Sequence, residues 1–171
     1  HLSDEERMIR DSARAFAQDK LMPRVKSAFR DERFDRDIMN EMGEMGFIAP
    51  ELPEAVGGQG MGCLAAGVIH EEVARADLSI SYINLLASLN GQILTHHGQP
   101  EVVKPWLAKL VRGEALLAIA LTEPRGGSDA GNLRLRVERV TGGNGEHYIV
   151  NGEKTSISAA DQADATVVFG R

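Results

Sequence analysis

Leu121-Thr122-Glu123-Pro124-Arg125-Gly126-Gly127-Ser128-Asp129-Ala130-Gly131 marks the point at which the pattern of the chain changes. Before it, apolar residues recur at helical spacing; after it, they alternate. An apolar run, Ala115 to Leu121, feeds straight into it, and Leu116 to Leu121 reads as a short buried strand. The corner combines a proline that fixes φ, two glycines that tolerate unusual angles, and side chains that cap turns. Thr122, Gly127 and Ser128 offer hydroxyls and accessible backbone N–H groups, a set suited to a polar heterocycle or a phosphate.

Working upstream, Ser3-Asp4-Glu5-Glu6 has the form of a capping box, and Ile9, Ala13, Phe16 and Ala17 continue it as an apolar stripe. Pro23 is expected to end or kink that helix. Asp35 caps a second helix with Ile38, Met39, Met42 and Met45 on its apolar face, and Gly46 stops it. Residues 50–62 read as a loop. A third helix spans about Cys63 to Ala76, with Cys63 expected as a small core residue. Asp77 starts a fourth, largely apolar helix reaching His96 or His97, and a fifth begins at Pro100 and ends at Gly113.

Downstream, Leu133, Leu135 and Val137 alternate with Arg134, Arg136 and Glu138 as in a half-exposed strand. Asn151-Gly152 is expected to turn a hairpin after Tyr148-Ile149-Val150. Thr155-Ser156-Ile157-Ser158 then falls on a strand with Ser156 and Ser158 on one face. Ala165 to Phe169 is a further strand. The fold class is therefore α+β: an all-α helical domain over 1–115, followed by the start of an antiparallel β domain over 116–171. So short a sheet needs another layer to cover it, and the chain reads as part of a longer protein.

Of the 171 residues, 43% are hydrophobic and 26% charged, a balance that argues against disorder. A net charge of −6 lacks the basic face that nucleic acid requires. No apolar run is long enough to insert in a membrane. His70-Glu71-Glu72-Val73-Ala74 begins like a zinc-protease helix, but Ala74 stands where the second histidine is needed, and adjacent His96 and His97 point apart, so no metal is expected. Gly60 to Ala65 matches a dinucleotide fingerprint in spacing only, because it follows a loop and not a strand. The lone Cys63 permits no intrachain disulfide and fits a reducing compartment, a bacterial cytoplasm or mitochondrial matrix.

Ala120 to Asp129 resembles the flavin-binding signature of the acyl-CoA dehydrogenases. Pro50-Glu51 to Val56-Gly57-Gly58-Gln59-Gly60 resembles the family's P-E-x-x-G-G-x-G loop, and His70 to Arg75 its E-E-x-A helix. Gly113-Glu114 and Asn151-Gly152-Glu153-Lys154 are similar to its domain-boundary and hairpin motifs. The resemblance implies a helical domain, a β domain and a C-terminal four-helix bundle, of which this chain holds the first and part of the second. It implies FAD as cofactor, an acyl-CoA thioester as substrate, an electron-transfer flavoprotein as acceptor and a homotetramer. An oxygen-using relative of the same fold, and a non-catalytic scaffold, are the alternatives.

By that resemblance Ile119, Ala120, Leu121 and Thr122 run along the flavin, Gly127 and Ser128 approach its pyrophosphate and the CoA, and Ser156, Ile157 and Ser158 stand beside the ring. The family usually has Trp-Ile-Thr there, so Ser156 removes an aromatic surface and Ser158 keeps the hydroxyl. Arg125 replaces a usual small residue. Tyr82, Leu85, Leu86 and Leu89 are candidates for the floor of the acyl pocket. No catalytic base is assigned: it is expected in the C-terminal part, and Glu123 belongs to the cofactor corner.

Overall fold

A computed structural model of the chain describes residues 1–142 and 145–171. They form two compact units, His1–Leu116 and Leu117–Arg171.

The first unit is helical. Helix α1, Asp4–Phe16, starts at Ser3, whose hydroxyl accepts from the Glu6 N–H while the Glu6 carboxylate accepts from the Ser3 N–H. Two of the helix's orphan donors are satisfied by that exchange. Pro23 does not end the helical run. A stretch of π-helix, Ala17–Leu21, leads into α2, Met22–Arg30, whose first turn holds Pro23. Helix α3, Arg36–Glu44, is capped by the Asp35 carboxylate and closed by Gly46 at φ +71°. It buries Ile38, Met39 and Met42, while Met45 lies past its end and is exposed.

Helix α4, Cys63–Ala76, packs against α1 and α5. Cys63 is exposed, a correction to its expected core position, because α4 turns Ala65, Ala66, Val68, Ile69, Glu72 and Val73 inward and leaves its first residue outside. Glu72 is buried among apolar groups and is matched by Arg14 of α1, whose guanidinium donates to both carboxylate oxygens at 2.7 and 3.0 Å. That fork holds the Glu72 carboxyl below the usual carboxylate range.

Helix α5, Leu78–His97, is capped by Asp77 and is the most buried helix of the unit. Its Asn84 side chain donates to the Phe47 carbonyl at 2.9 Å, tying the loop after α3 to the core. Phe47 meets Phe16 edge-on, ring centroids 5.8 Å apart. Helix α6, Pro100–Val111, buries Val103, Leu107, Leu110 and Val111. No helix among the described residues is long and apolar enough to cross a membrane.

Among the described residues the second unit holds four strands: β1, Leu117–Ala120; β2, Arg136–Gly142; β3, Gly145–Asn151; and β4, Ala165–Val168. Strands β2 and β3 pair antiparallel, as expected, whereas β1 and β4 run parallel, Leu117 opposite Ala165. Three readings of this region need correction. Asn151 pairs with Arg136 at the open end of the hairpin, and the register sets Gly142 opposite Gly145. The Asn-Gly pair at 151–152 is thus not the hairpin turn but its exit. Leu133 and Leu135 precede β2 and are buried, so the alternating segment is an entry loop followed by a strand. Residues 153–157 form no strand, and Ser156 sits at φ +55°, so the argument that Ser156 and Ser158 share a strand face fails.

Beyond β4 the chain runs beside the start of β2. Arg171 N donates to Leu135 O at 2.9 Å and Val137 N donates to Arg171 O at 2.7 Å, which joins the two strand pairs.

Candidate functional site

The corner after β1 is built around one carboxylate. Glu123 is 7% exposed, and its oxygens accept from Arg134 N at 2.8 Å, Leu135 N at 3.0 Å and Lys154 Nζ at 2.9 Å. The Leu135 N–H, then Lys154, then the Arg134 N–H hold its carboxyl down at about 2. A group so committed is ionised at neutral pH and is a weak base, so Glu123 is a structural anchor. Lys154, 8% exposed in its side chain, also donates to Leu121 O at 2.9 Å. Sequence reading missed this pair: the partners are 31 positions apart, and nothing local marks Lys154 as buried.

That anchor places the candidate residues. Ala120 O accepts from Phe169 N at 3.1 Å, and Thr122 O accepts from Thr155 N at 3.0 Å. Ile119 and Leu121 are half-buried and Ala120 is buried. With three successive carbonyls committed to the fold, the run Ile119 to Thr122 is held rigid. What stays available is polar and small. The hydroxyls of Thr122, Ser128, Ser156 and Ser158, and the N–H groups of Gly127 and Ser128, make no hydrogen bond to the described residues. A Cβ on Gly127 would meet the Thr122 hydroxyl oxygen at 3.1 Å, so glycine keeps that hydroxyl clear. Ile157 is half-buried, between Ser156 at φ +55° and Ala159 at φ +57°. Two left-handed non-glycine residues so close together are strain of the kind found at ligand sites.

The Thr122–Thr155 bond brings the segment 155–158 to the corner, so the structure unites Thr122 with the start of the second hydroxyl cluster. Free hydroxyls and amide donors beside a rigid strand suit the carbonyl and ring-nitrogen groups of a flavin, and the residues present fit FAD on that ground.

The apolar candidates lie in the first unit. Tyr82, Leu85 and Leu89 share one face of α5, each 41–46% exposed, while Leu86 is buried in the core. Among the described residues no group of three or more His, Cys, Asp and Glu could hold a metal ion.

Two family profiles match the chain: "Acyl-CoA dehydrogenase, N-terminal domain" over residues 3–114, and "Acyl-CoA dehydrogenase, middle domain" over residues 118–171. The isobutyryl-CoA dehydrogenase of Dictyostelium discoideum is 34% identical, aligned over 99% of this chain and 40% of its own length. The 3-(aryl)acrylate reductase of Clostridium sporogenes is also 34% identical, over 99% of this chain and 44% of its own. Among solved structures, a glutaryl-CoA dehydrogenase from Mycobacterium smegmatis in complex with FADH2 superposes with a TM-score of 0.91 at 26% identity, covering 99% of this chain and 43% of that one. The chain thus spans less than half the length of the curated relatives it matches.

Proposed function

Because the chain belongs to the acyl-CoA dehydrogenase family, we propose that the protein carrying it binds FAD and oxidises an acyl-CoA thioester between its α and β carbons, with electrons leaving to an electron-transfer flavoprotein. The observation that carries this reading is the set of uncommitted donors, Thr122, Gly127, Ser128, Ser156 and Ser158, around a corner whose own carboxylate is neutralised by Lys154.

When bound, FAD supplies the hydride acceptor for the substrate's β-hydrogen. The chain's contribution is to bind and orient. Thr122 and Ser158 donate to, or accept from, the polar edge of the ring, and the run Ile119 to Leu121 offers a rigid apolar wall. Gly127 and Ser128 present N–H groups to phosphate oxygens, and Ser128 also reaches the thioester's CoA portion. Ser156 leaves room where an aromatic side chain would pack, which admits a bulkier acyl group. The α-proton goes to a carboxylate not assigned within this chain, Glu123 being spent on the fold. A homotetramer, in a bacterial cytoplasm or mitochondrial matrix, completes the reading.

Tyr82, Leu85 and Leu89 form the apolar surface for the acyl chain. The test uses the full-length protein loaded with FAD. Anaerobic addition of saturated acyl-CoA thioesters is expected to bleach the flavin's visible absorbance and yield the α,β-unsaturated product. Tyr82→Ala and Leu89→Ser are expected to raise KM by about tenfold, the effect of losing apolar contact with the acyl chain worth about two buried methylenes. Their melting temperatures should stay at the wild-type value. Unchanged KM with a lowered melting temperature would assign these side chains to packing and remove them from the substrate site.

A further inference from the structure

A cavity of about 130 Å³ opens within the second unit, under the corner that follows β1. Its wall includes Glu123, Arg125, Gly126, Asp129 and Arg134. The acidic members are already engaged. Glu123 accepts from Arg134 N, Leu135 N and Lys154, and the two Asp129 oxygens accept from Asn132 Nδ2 at 2.9 and 2.7 Å. The two guanidiniums are not: Arg125 and Arg134 are exposed and make no side-chain hydrogen bond or ion pair with any described residue.

The same holds for Arg30 and Arg33, but not for most arginines of this chain. It is acidic overall, at −6, and its arginines commonly find carboxylates: Arg10 with Asp11, Arg14 with Glu72, Arg24 with Glu41, Arg75 with Glu71 and Arg112 with Glu114. Two unmatched guanidiniums on one small cavity therefore stand out. The two carboxylates and two guanidiniums of the wall sum to zero, and Lys154, bonded to Glu123, adds one positive charge beside it, which leaves two guanidinium forks free of carboxylate partners. A Cβ built on Gly126 meets nothing within 4 Å, so the wall is open at that residue. A planar fork of N–H donors matches phosphate oxygens two at a time, and a doubly charged phosphate exploits two forks better than a singly charged carboxylate does.

We propose that Arg125 and Arg134 form a phosphate-binding subsite on this cavity, taking a phosphate ester of a nucleotide ligand. The proposal rests on the acyl-CoA dehydrogenase reading for its choice of ligand: the phosphate comes from the nucleotide end of the CoA thioester or from the diphosphate of the flavin nucleotide.

The test is titration of the full-length protein, wild type and the double variant Arg125→Gln/Arg134→Gln, by calorimetry. The probes are adenosine 3′,5′-bisphosphate, FAD and inorganic phosphate. Both arginines are exposed, so the double variant should fold, and its amide spectrum over 133–137 is the check. The expected result is a loss of affinity of about tenfold or more for adenosine 3′,5′-bisphosphate or for FAD, shrinking as salt is raised. Loss for the bisphosphate alone assigns the subsite to the thioester, and loss for FAD alone assigns it to the flavin. Unchanged affinities for all three probes overturn the subsite. If the wild type binds both FAD and acyl-CoA while the variant does so equally, only the subsite falls. If the wild type binds neither, the functional reading falls instead.

Discussion

Glu123→Ala is expected to lower the melting temperature of the unit Leu117–Arg171 by roughly 10 °C or more, or to leave that unit unfolded. The carboxylate collects three donors, the N–H groups of Arg134 and Leu135 and the Lys154 ammonium, all within 3.0 Å. Removing it leaves an ammonium with 8% exposure beside two amides that have lost their acceptor. An unpaired buried charge is among the few single changes that cost a large fraction of a domain's stability. Glu123→Gln keeps one acceptor oxygen and should fall between the wild type and the alanine variant.

The same carboxylate sets an acid response. Its folded pKa, about 2, lies below the ordinary carboxylate value near 4.5, chiefly through the Leu135 N–H and then Lys154. A depressed pKa contributes stability that is fully present above the unfolded value and is lost as pH falls toward the folded one. The strand unit should therefore weaken between about pH 4.5 and pH 2, with the Arg134 and Leu135 amides the first to lose protection from exchange. The glutamine variant should lack that slope. Equal acid profiles for wild type and Glu123→Gln would show that Glu123 does not hold the corner.

Gly113→Ala has an effect of similar size on the helical unit, more than about 4 kcal/mol, and is expected to abolish soluble expression. Gly113 has φ +71°, and a Cβ there would lie 2.0 Å from the Met39 carbonyl oxygen and 2.4 Å from its carbon. Those atoms are the backbone of α3, which cannot rotate aside as a side chain could. Gly43 faces the same junction from the other side, its built Cβ 2.3 Å from the Arg112 carbonyl carbon and oxygen. Two glycines thus permit one close backbone approach between α3 and the end of α6. Gly67→Ala is the control: it lies inside α4 with open space around its Cβ, so it should be neutral or stabilise by roughly 0.5–1 kcal/mol. Purification yield and thermal melts of the two variants decide the matter; a well-folded Gly113→Ala would refute the packing described.

The helical unit was largely legible because its signals are local. Ser3 and Glu6, Asp35, Gly46 and Asp77 each act on neighbours within a turn, and their spacing is enough to place a helix end. Cys63 was misjudged because its apolar neighbours conceal the direction of the inward face, which only α1 and α5 define. The strand unit was harder because its decisive contacts are remote. The parallel register of Leu117 with Ala165 leaves no mark on either segment. Asn151-Gly152 carries turn chemistry, yet the strands meet at Gly142 and Gly145, in another glycine-rich stretch, so composition alone could not choose between them. Ser156 and Ser158 looked like alternating strand residues, but anchoring by Lys154 and Thr155 to the corner bends the chain there instead. At the site, the corner itself was readable from its own residues, whereas the Glu123–Lys154 pair and the cavity under Arg125 and Arg134 exist only once the chain has folded.

The most direct test is FAD binding by the full-length protein and its Thr122→Ala/Ser158→Ala variant, followed by quenching of flavin fluorescence, with amide spectra as the check on folding. The expected result is stoichiometric binding by the wild type and an affinity lower by about ten- to a hundredfold in the variant, one hydrogen bond being lost at each position. Failure of the wild type to bind FAD, or equal affinity in the two proteins, would contradict the placement of the cofactor on this corner.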